Sequence, residues 1–172
     1  MDRLVYDAPH EAATAALGAA LEAVLPDAAV VALSGTLGAG KTRLVQAIAE
    51  AAGVDRRNVL SPTFVLVHEY HGRRAIYHLD AYRLRDEDEF YQLGTEEYFQ
   101  HHALVLIEWA DRVPGCLPAD RLDVHIEVTG ECQRRFTLLP RGPDFAQLLL
   151  RLSARLEPPQ PSGPTEDLLG NP

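Results

Sequence analysis

The sequence predicts one α/β domain built on a mixed sheet, parallel at its centre and antiparallel where hairpins join neighbouring strands. Three observations point to it. Short apolar runs alternate with segments of helical periodicity. Glycine and proline punctuate the boundaries between them. Two pairs of strand-like runs are separated only by short turns, which places antiparallel neighbours in the sheet. At 172 residues the chain has the length of one domain and can bury a core without metal or disulfide staples.

The elements follow in order. Residues 8–25 are alanine-rich, with Leu17, Leu21 and Val24 at helical spacing, Asp7 as the expected cap and Pro9 in the first turn. Residues 28–33 form a buried strand. A glycine-rich stretch leads into a helix over 41–52, whose core face is Leu44, Val45, Ile48 and Ala52 and whose stop is Gly53. Residues 63–70 and 73–79 read as a hairpin turning at His71 and Gly72. Two short helices follow, over 86–93 and from 95 onward, the second capped by Thr95. Residues 104–107 form a buried strand. Residues 122–128 and 134–139 form a second hairpin around Thr129 and Gly130, and a helix over 144–156 closes the domain. The domain is therefore expected to span 1–156. Beyond it, Pro158, Pro159, Pro161, Pro164 and Pro172 mark 157–172 as a disordered tail.

Composition excludes several classes. Lys and Arg total 16 against 25 acidic residues, a net charge of −9. Phosphate affinity comes mainly from Lys and Arg, so such a chain is poorly suited to gripping nucleic acid alone. Cys116 and Cys132 are too few for a disulfide framework or a zinc site. The first residues lack the cationic and apolar regions of a secretory signal, and no apolar run approaches the roughly 18 residues that span a bilayer. The expected location is the cytoplasm, with no membrane contact.

Residues 35–42, GTLGAGKT, match the phosphate-loop pattern G-x-x-x-x-G-K-[ST] in full. A strand precedes them and an amphipathic helix follows, as that loop requires. Gly35, Gly38 and Gly40 allow the backbone N–H groups of Thr36, Leu37 and Ala39 to curl around phosphate oxygens at a helix N-terminus. Lys41 is expected to reach the β- and γ-phosphates, and the Thr42 hydroxyl to ligate Mg²⁺. The chain uses arginine fifteen times and lysine once, at Lys41. A compact ammonium on a flexible stem suits this loop better than a planar guanidinium. The N-K-x-D guanine signature needs a second lysine, so ATP is the expected nucleotide.

Two acids end apolar strands, Asp80 after AIYHL and Glu108 after ALVLI. Functional side chains of open α/β sheets gather at such carboxyl ends. Glu108 has the form of the acidic residue that closes the second nucleotide motif, as a direct Mg²⁺ ligand or as a water-activating base. Ser61, Pro62 and Thr63 form a rigid hydroxyl-bearing segment, either a strand-entry turn or a switch-like loop that senses the γ-phosphate. Trp109, which follows Glu108, is expected to pack the sheet edge. Arg83 and Arg85 are candidate phosphate-facing cations. Arg134 and Arg135 are expected to face solvent. The His101–His102 pair lacks a metal-ligand partner at helical spacing, and residues 86–89 read as a solvated acidic helix start.

Four motifs in order, GTLGAGKT (35–42), SPTF (61–64), HLDAYR (78–83) and IEW (107–109), resemble the TsaE (YjeE) family of small bacterial ATPases over about residues 10–140. The resemblance implies a P-loop NTPase fold with helices flanking a mixed central sheet. It implies an Mg-dependent ATPase subunit that supports N6-threonylcarbamoyladenosine formation at position 37 of tRNA, alongside the TsaD–TsaB transferase and without transferring the group itself. The tRNA would then be met indirectly, through the complex. It assigns Lys41, Glu108 and Asp80 to catalysis, Thr42, Glu108 and Asp80 to the metal, and Trp109 with the loop 35–42 to ATP. Two alternatives remain from the motifs alone: a small-molecule kinase with Asp80 as base, and a module gated by nucleotide binding.

Overall fold

A computed structural model describes residues 1–145 and 147–156. The elements are β1 (Leu4–Ala8), α1 (Glu11–Val24), β2 (Ala29–Gly35), α2 (Lys41–Ala51), β3 (Val67–His71), β4 (Ala75–Asp80), α3 (Glu87–Gln92), α4 (Thr95–Gln100), β5 (Ala103–Glu108), β6 (Arg121–Val128), β7 (Arg134–Arg141) and α5 (Leu148–Leu156). The expected tail, 157–172, lies outside the described residues.

The seven strands form one sheet in the order β1-β7-β6-β2-β5-β4-β3. The four central strands, β6, β2, β5 and β4, run parallel. Antiparallel strands flank them, β3 against β4 on one side and β7 then β1 on the other. The mixed sheet is thus as expected, with both hairpins at its margins.

Alternate residues of the central strands feed two cores. Val31 and Leu33 face Leu17, Leu21, Leu44 and Ile48 of α1 and α2, joined by Leu148, Leu149 and Leu152 of α5. Val30 and Ala32 point the other way, against Val105, Ile107, Phe90 and Val113. Burial on both faces explains why these strands read as continuous apolar runs instead of alternating ones.

Several expectations shift. Leu4–Ala8 is a strand, an element beyond those expected from the sequence. It takes Asp7 away from helix capping, and Asp7 instead pairs with Arg135 across the β1–β7 edge. His10 caps α1, its Nδ1 accepting from Ala13 N–H. The strand expected at 63–70 begins only at Val67, because residues 62–66 close a turn on the Pro62 carbonyl and Leu66 adopts φ 69°. Gly94, left-handed at φ 71°, caps α4 in place of Thr95, whose buried hydroxyl donates to the Phe90 carbonyl. The last helix starts at Leu148, after a 3₁₀ turn at Pro143–Phe145.

α1 crosses α2 at Gly18, where any Cβ would collide with the Ala47 side chain. Gly18→Leu is therefore expected to lower stability by about 1–3 kcal/mol, as overpacking does. A urea midpoint equal to that of the native chain would contradict this close approach.

Candidate functional site

The phosphate loop connects the end of β2 to the start of α2. Gly35 has φ 140°, and a Cβ there would run into the Ile126 carbonyl of β6. Gly40 caps α2 in the left-handed region at φ 105°. An L side chain at either position is strained, so the glycines of the motif are required by backbone geometry before any ligand is considered. A third support comes from β7. Arg134 Nε donates to the Ala39 carbonyl at 2.9 Å, and its Nη1 donates to the Gly130 and Gln133 carbonyls at 3.1 and 2.8 Å. The guanidinium ties the loop to the β6–β7 turn, which corrects the expectation that Arg134 faces solvent. Arg135 does lie at the exposed edge, on Asp7.

Parallel register brings the two acids together, since Asp80 on β4 pairs directly with Glu108 on β5. They are 2% and 3% exposed. The Thr42 hydroxyl donates to Glu108, at 2.8 Å from Oε1 and 3.0 Å from Oε2. His78 Nε2 lies 2.8 Å from Oε1 of the same carboxylate. Asp80 has different partners. Its Oδ2 accepts from the hydroxyls of Thr63 at 2.6 Å and Ser61 at 3.2 Å, and its Oδ1 accepts from Tyr82 N–H at 2.8 Å. Ser61 and Thr63 are therefore bound to the site, with Pro62 buried between them.

Lys41 is 4% exposed. Its ammonium donates to the carbonyls of Gly35 at 2.7 Å and Thr36 at 3.0 Å. It also lies 3.5 Å from the centroid of the Trp109 ring, a cation–π contact. Burial pushes the Lys41 ammonium below the ordinary lysine value, while the charges of Glu108, Asp111 and Asp80 partly hold it up. Trp109 is left-handed at φ 57°, a costly backbone for a bulky residue, and its ring packs 4.9 Å from Tyr82.

Lys41, Thr42, Ser61, Thr63, Asp80 and Glu108 line one cleft of about 330 Å³, with Trp109 at its wall. A second cleft, about 460 Å³, lies against the other side of the loop, between Thr14 of α1 and Cys132 and Arg134 of the β6–β7 hairpin. Gly38, Gly40 and Arg43 border both. The loop residues differ in exposure: Ala39 is buried, whereas the Leu37 side chain points outward. Neither Arg83 nor Arg85 borders the first cleft. Arg83 stacks over Phe64 at 4.1 Å and Arg85 pairs with Glu89. Asp86 caps α3 through Glu89 N–H. The Glu108 carboxylate and the Thr42 hydroxyl are hard oxygen donors held side by side, a set that leaves room for water and phosphate around Mg²⁺. The residues present therefore fit that ion.

The family model "Threonylcarbamoyl adenosine biosynthesis protein TsaE" matches residues 8–136. The chain belongs to the TsaE family. The TsaE protein of Bacillus subtilis (strain 168) is 40% identical over 125 residues, covering 72% of this chain and 77% of that one. The TsaE of Treponema pallidum (strain Nichols) is 35% identical over 125 residues, 73% of this chain and 92% of its own. The crystal structure of Bacillus subtilis YdiB superposes with a TM-score of 0.77 at 31% identity, covering 88% of this chain and 95% of that one. The P-loop fold and a place in tRNA threonylcarbamoyladenosine biosynthesis follow for this chain.

Two site residues escaped the sequence reading. His78 was visible only as a letter of its motif, although its position two residues before Asp80 puts both on one face of β4. Arg134 carried no signal, because its role depends on the hairpin folding back over the loop.

Arg134→Ala would remove a charge-assisted hydrogen bond, typically about 1.5–3 kcal/mol. Amide exchange at Ala39, whose N–H donates to the Thr36 carbonyl, is expected to accelerate about tenfold or more. Unchanged exchange would show that the loop holds its shape without the guanidinium.

Proposed function

We propose that the chain is an Mg-dependent ATPase that sustains threonylcarbamoyladenosine formation at position 37 of tRNA, working with the TsaD–TsaB transferase. The observation that carries this reading is the convergence of Lys41, Thr42 and Glu108 in one cleft at the mouth of a glycine-built loop. Family membership supplies the biosynthetic context.

In this reading the phosphates occupy the cleft of Lys41 and the nucleoside extends into the neighbouring cleft past Gly38 and Gly40. Lys41 exchanges two neutral carbonyl acceptors for anionic phosphate oxygens, a stronger hydrogen bond for an ammonium. Thr42 and Glu108 are the residues that would hold Mg²⁺. When bound, that ion neutralises charge on the β- and γ-phosphates. Glu108 also stands where a carboxylate can orient an attacking water. Asp80 acts through the loop: its oxygens hold Ser61, Thr63 and the Tyr82 amide, so it sets the position of the switch-like segment. Trp109 forms the wall beside the Lys41 ammonium.

The partner assignment rests on surface as well as family. Leu37, Leu60, Phe64, Val65 and Tyr82 are exposed apolar or aromatic side chains in the loops around the cleft. A −9 chain with such side chains suits a protein partner better than a polyanion. Among the described residues no helix is long and apolar enough to cross a membrane. The kinase alternative is disfavoured, because Arg83 and Arg85 are engaged away from the cleft and provide no cationic lid.

The deciding experiment is multi-turnover threonylcarbamoylation of tRNA with TsaD, TsaB, threonylcarbamoyl-adenylate and ATP. The native chain is expected to sustain turnover beyond the first cycle. Lys41→Ala is expected to lose about 100-fold, the scale of one removed transition-state donor. Equal rates with native chain, variant or no addition would defeat the reading.

The placement of the nucleoside has its own check. Cys132 is exposed in the second cleft, whereas burial pushes the Cys116 thiol up and shields it. ATP at ten times its Kd is expected to slow thiol modification of Cys132 about tenfold. Modification at the same rate with and without ATP would place the base elsewhere.

A further inference from the structure

His78 is fully buried on the face of β4 that also carries Ile76 and Asp80, and its register neighbour on β5 is Leu106. Packing alone would favour an aliphatic residue there, because a polar ring loses hydration unless it is hydrogen-bonded. Its Nε2 sits 2.8 Å from Glu108 Oε1. An ionised carboxylate only accepts, so the imidazole proton that faces it belongs on Nε2. On the far side, Nδ1 lies 3.4 Å from the oxygen of the Tyr70 hydroxyl, whose one proton goes to the Leu60 carbonyl at 3.2 Å. Leu60 directly precedes Ser61. The two Glu108 oxygens are consequently unequal: Oε1 meets both His78 and Thr42, while Oε2 meets only Thr42.

The terminal torsion of a glutamate is broad when nothing fixes it. We propose that His78 is the positioning residue for Glu108: its Nε2–H pins Oε1 and holds the carboxylate plane toward Thr42, leaving Oε2 the less committed oxygen. The Tyr70 ring packs behind the imidazole at 6.2 Å, and its hydroxyl is tied to the backbone that enters the Ser61–Thr63 segment. The consequence for turnover rests on the ATPase reading above, whereas the protonated nitrogen is a property of the free protein.

Two measurements test it together. Imidazole ¹⁵N NMR of the nucleotide-free chain, assigned with His78→Gln, is expected to show the proton on Nε2. A bare Nε2 would overturn the proposal whatever the kinetics. In the TsaD–TsaB assay, His78→Leu is expected to lower kcat about tenfold or more, the usual scale for a residue orienting a metal ligand. KM for ATP should change little. His78→Gln, whose amide N–H reaches the same oxygen, is expected to restore most of the loss, with thermal melting confirming that both variants fold. Folded Leu and Gln variants that behave alike would overturn the proposal. A native chain without ATP turnover would instead defeat the ATPase reading, and the ¹⁵N result alone would decide the role of His78.

Discussion

Lys41, Asp80 and Glu108 are each buried to within a few per cent of completeness in one region of the molecule. An unpaired charge at such depth costs several kcal/mol. The surrounding elements are arranged around that constraint. Parallel pairing of β4 with β5 brings the two carboxylates level, and β2, also parallel to β5, delivers the loop that carries Lys41 and Thr42 to the same end of the sheet. Each carboxylate then receives its own donors. Glu108 takes Thr42 and His78, and Asp80 takes Ser61, Thr63 and the Tyr82 amide. The ammonium is shared among two carbonyls and an indole face.

This division of partners separates two acids that look equivalent in the sequence. Both end an apolar strand, and both are natural candidates for the metal. In the fold only Glu108 touches the loop hydroxyl, and only Asp80 touches the 61–63 segment. A change at one therefore acts on the phosphate loop, and a change at the other acts on the adjoining loop.

Much of this was legible beforehand, and the reasons are physical. A central parallel strand buried on both faces leaves an uninterrupted apolar run, as at 103–107, and a left-handed loop leaves glycines, as at 35 and 40. Both signals survive in a single sequence. What stayed hidden depends on chain segments far apart. The edge strand Leu4–Ala8 pairs only with β7, at the other end of the chain, and its side chains are mostly half-exposed, so its pattern is faint. Arg134 reaches the Ala39 carbonyl across 95 residues. Residues 63–66 have strand composition, yet the hydroxyl bonds to Asp80 and the turn on Pro62 outweigh propensity.

The contacts at the loop fall into two groups that differ in what a phosphate would do to them. One group shapes the backbone: Gly35 against Ile126, Arg134 on Ala39, and the left-handed cap at Gly40. None of these uses a group that must turn toward a phosphate, so the cradle can persist through binding and release. The other group is Lys41 on the Gly35 and Thr36 carbonyls and Thr42 on Glu108. These join the chemically active groups to partners that an anion or a cation can replace with stronger ones. A loop organised this way keeps its form while its polar side chains change hands, which keeps the ordering cost of binding low. The same separation explains why β7, remote in sequence from the motif, bears on the site: it holds the part that must not move.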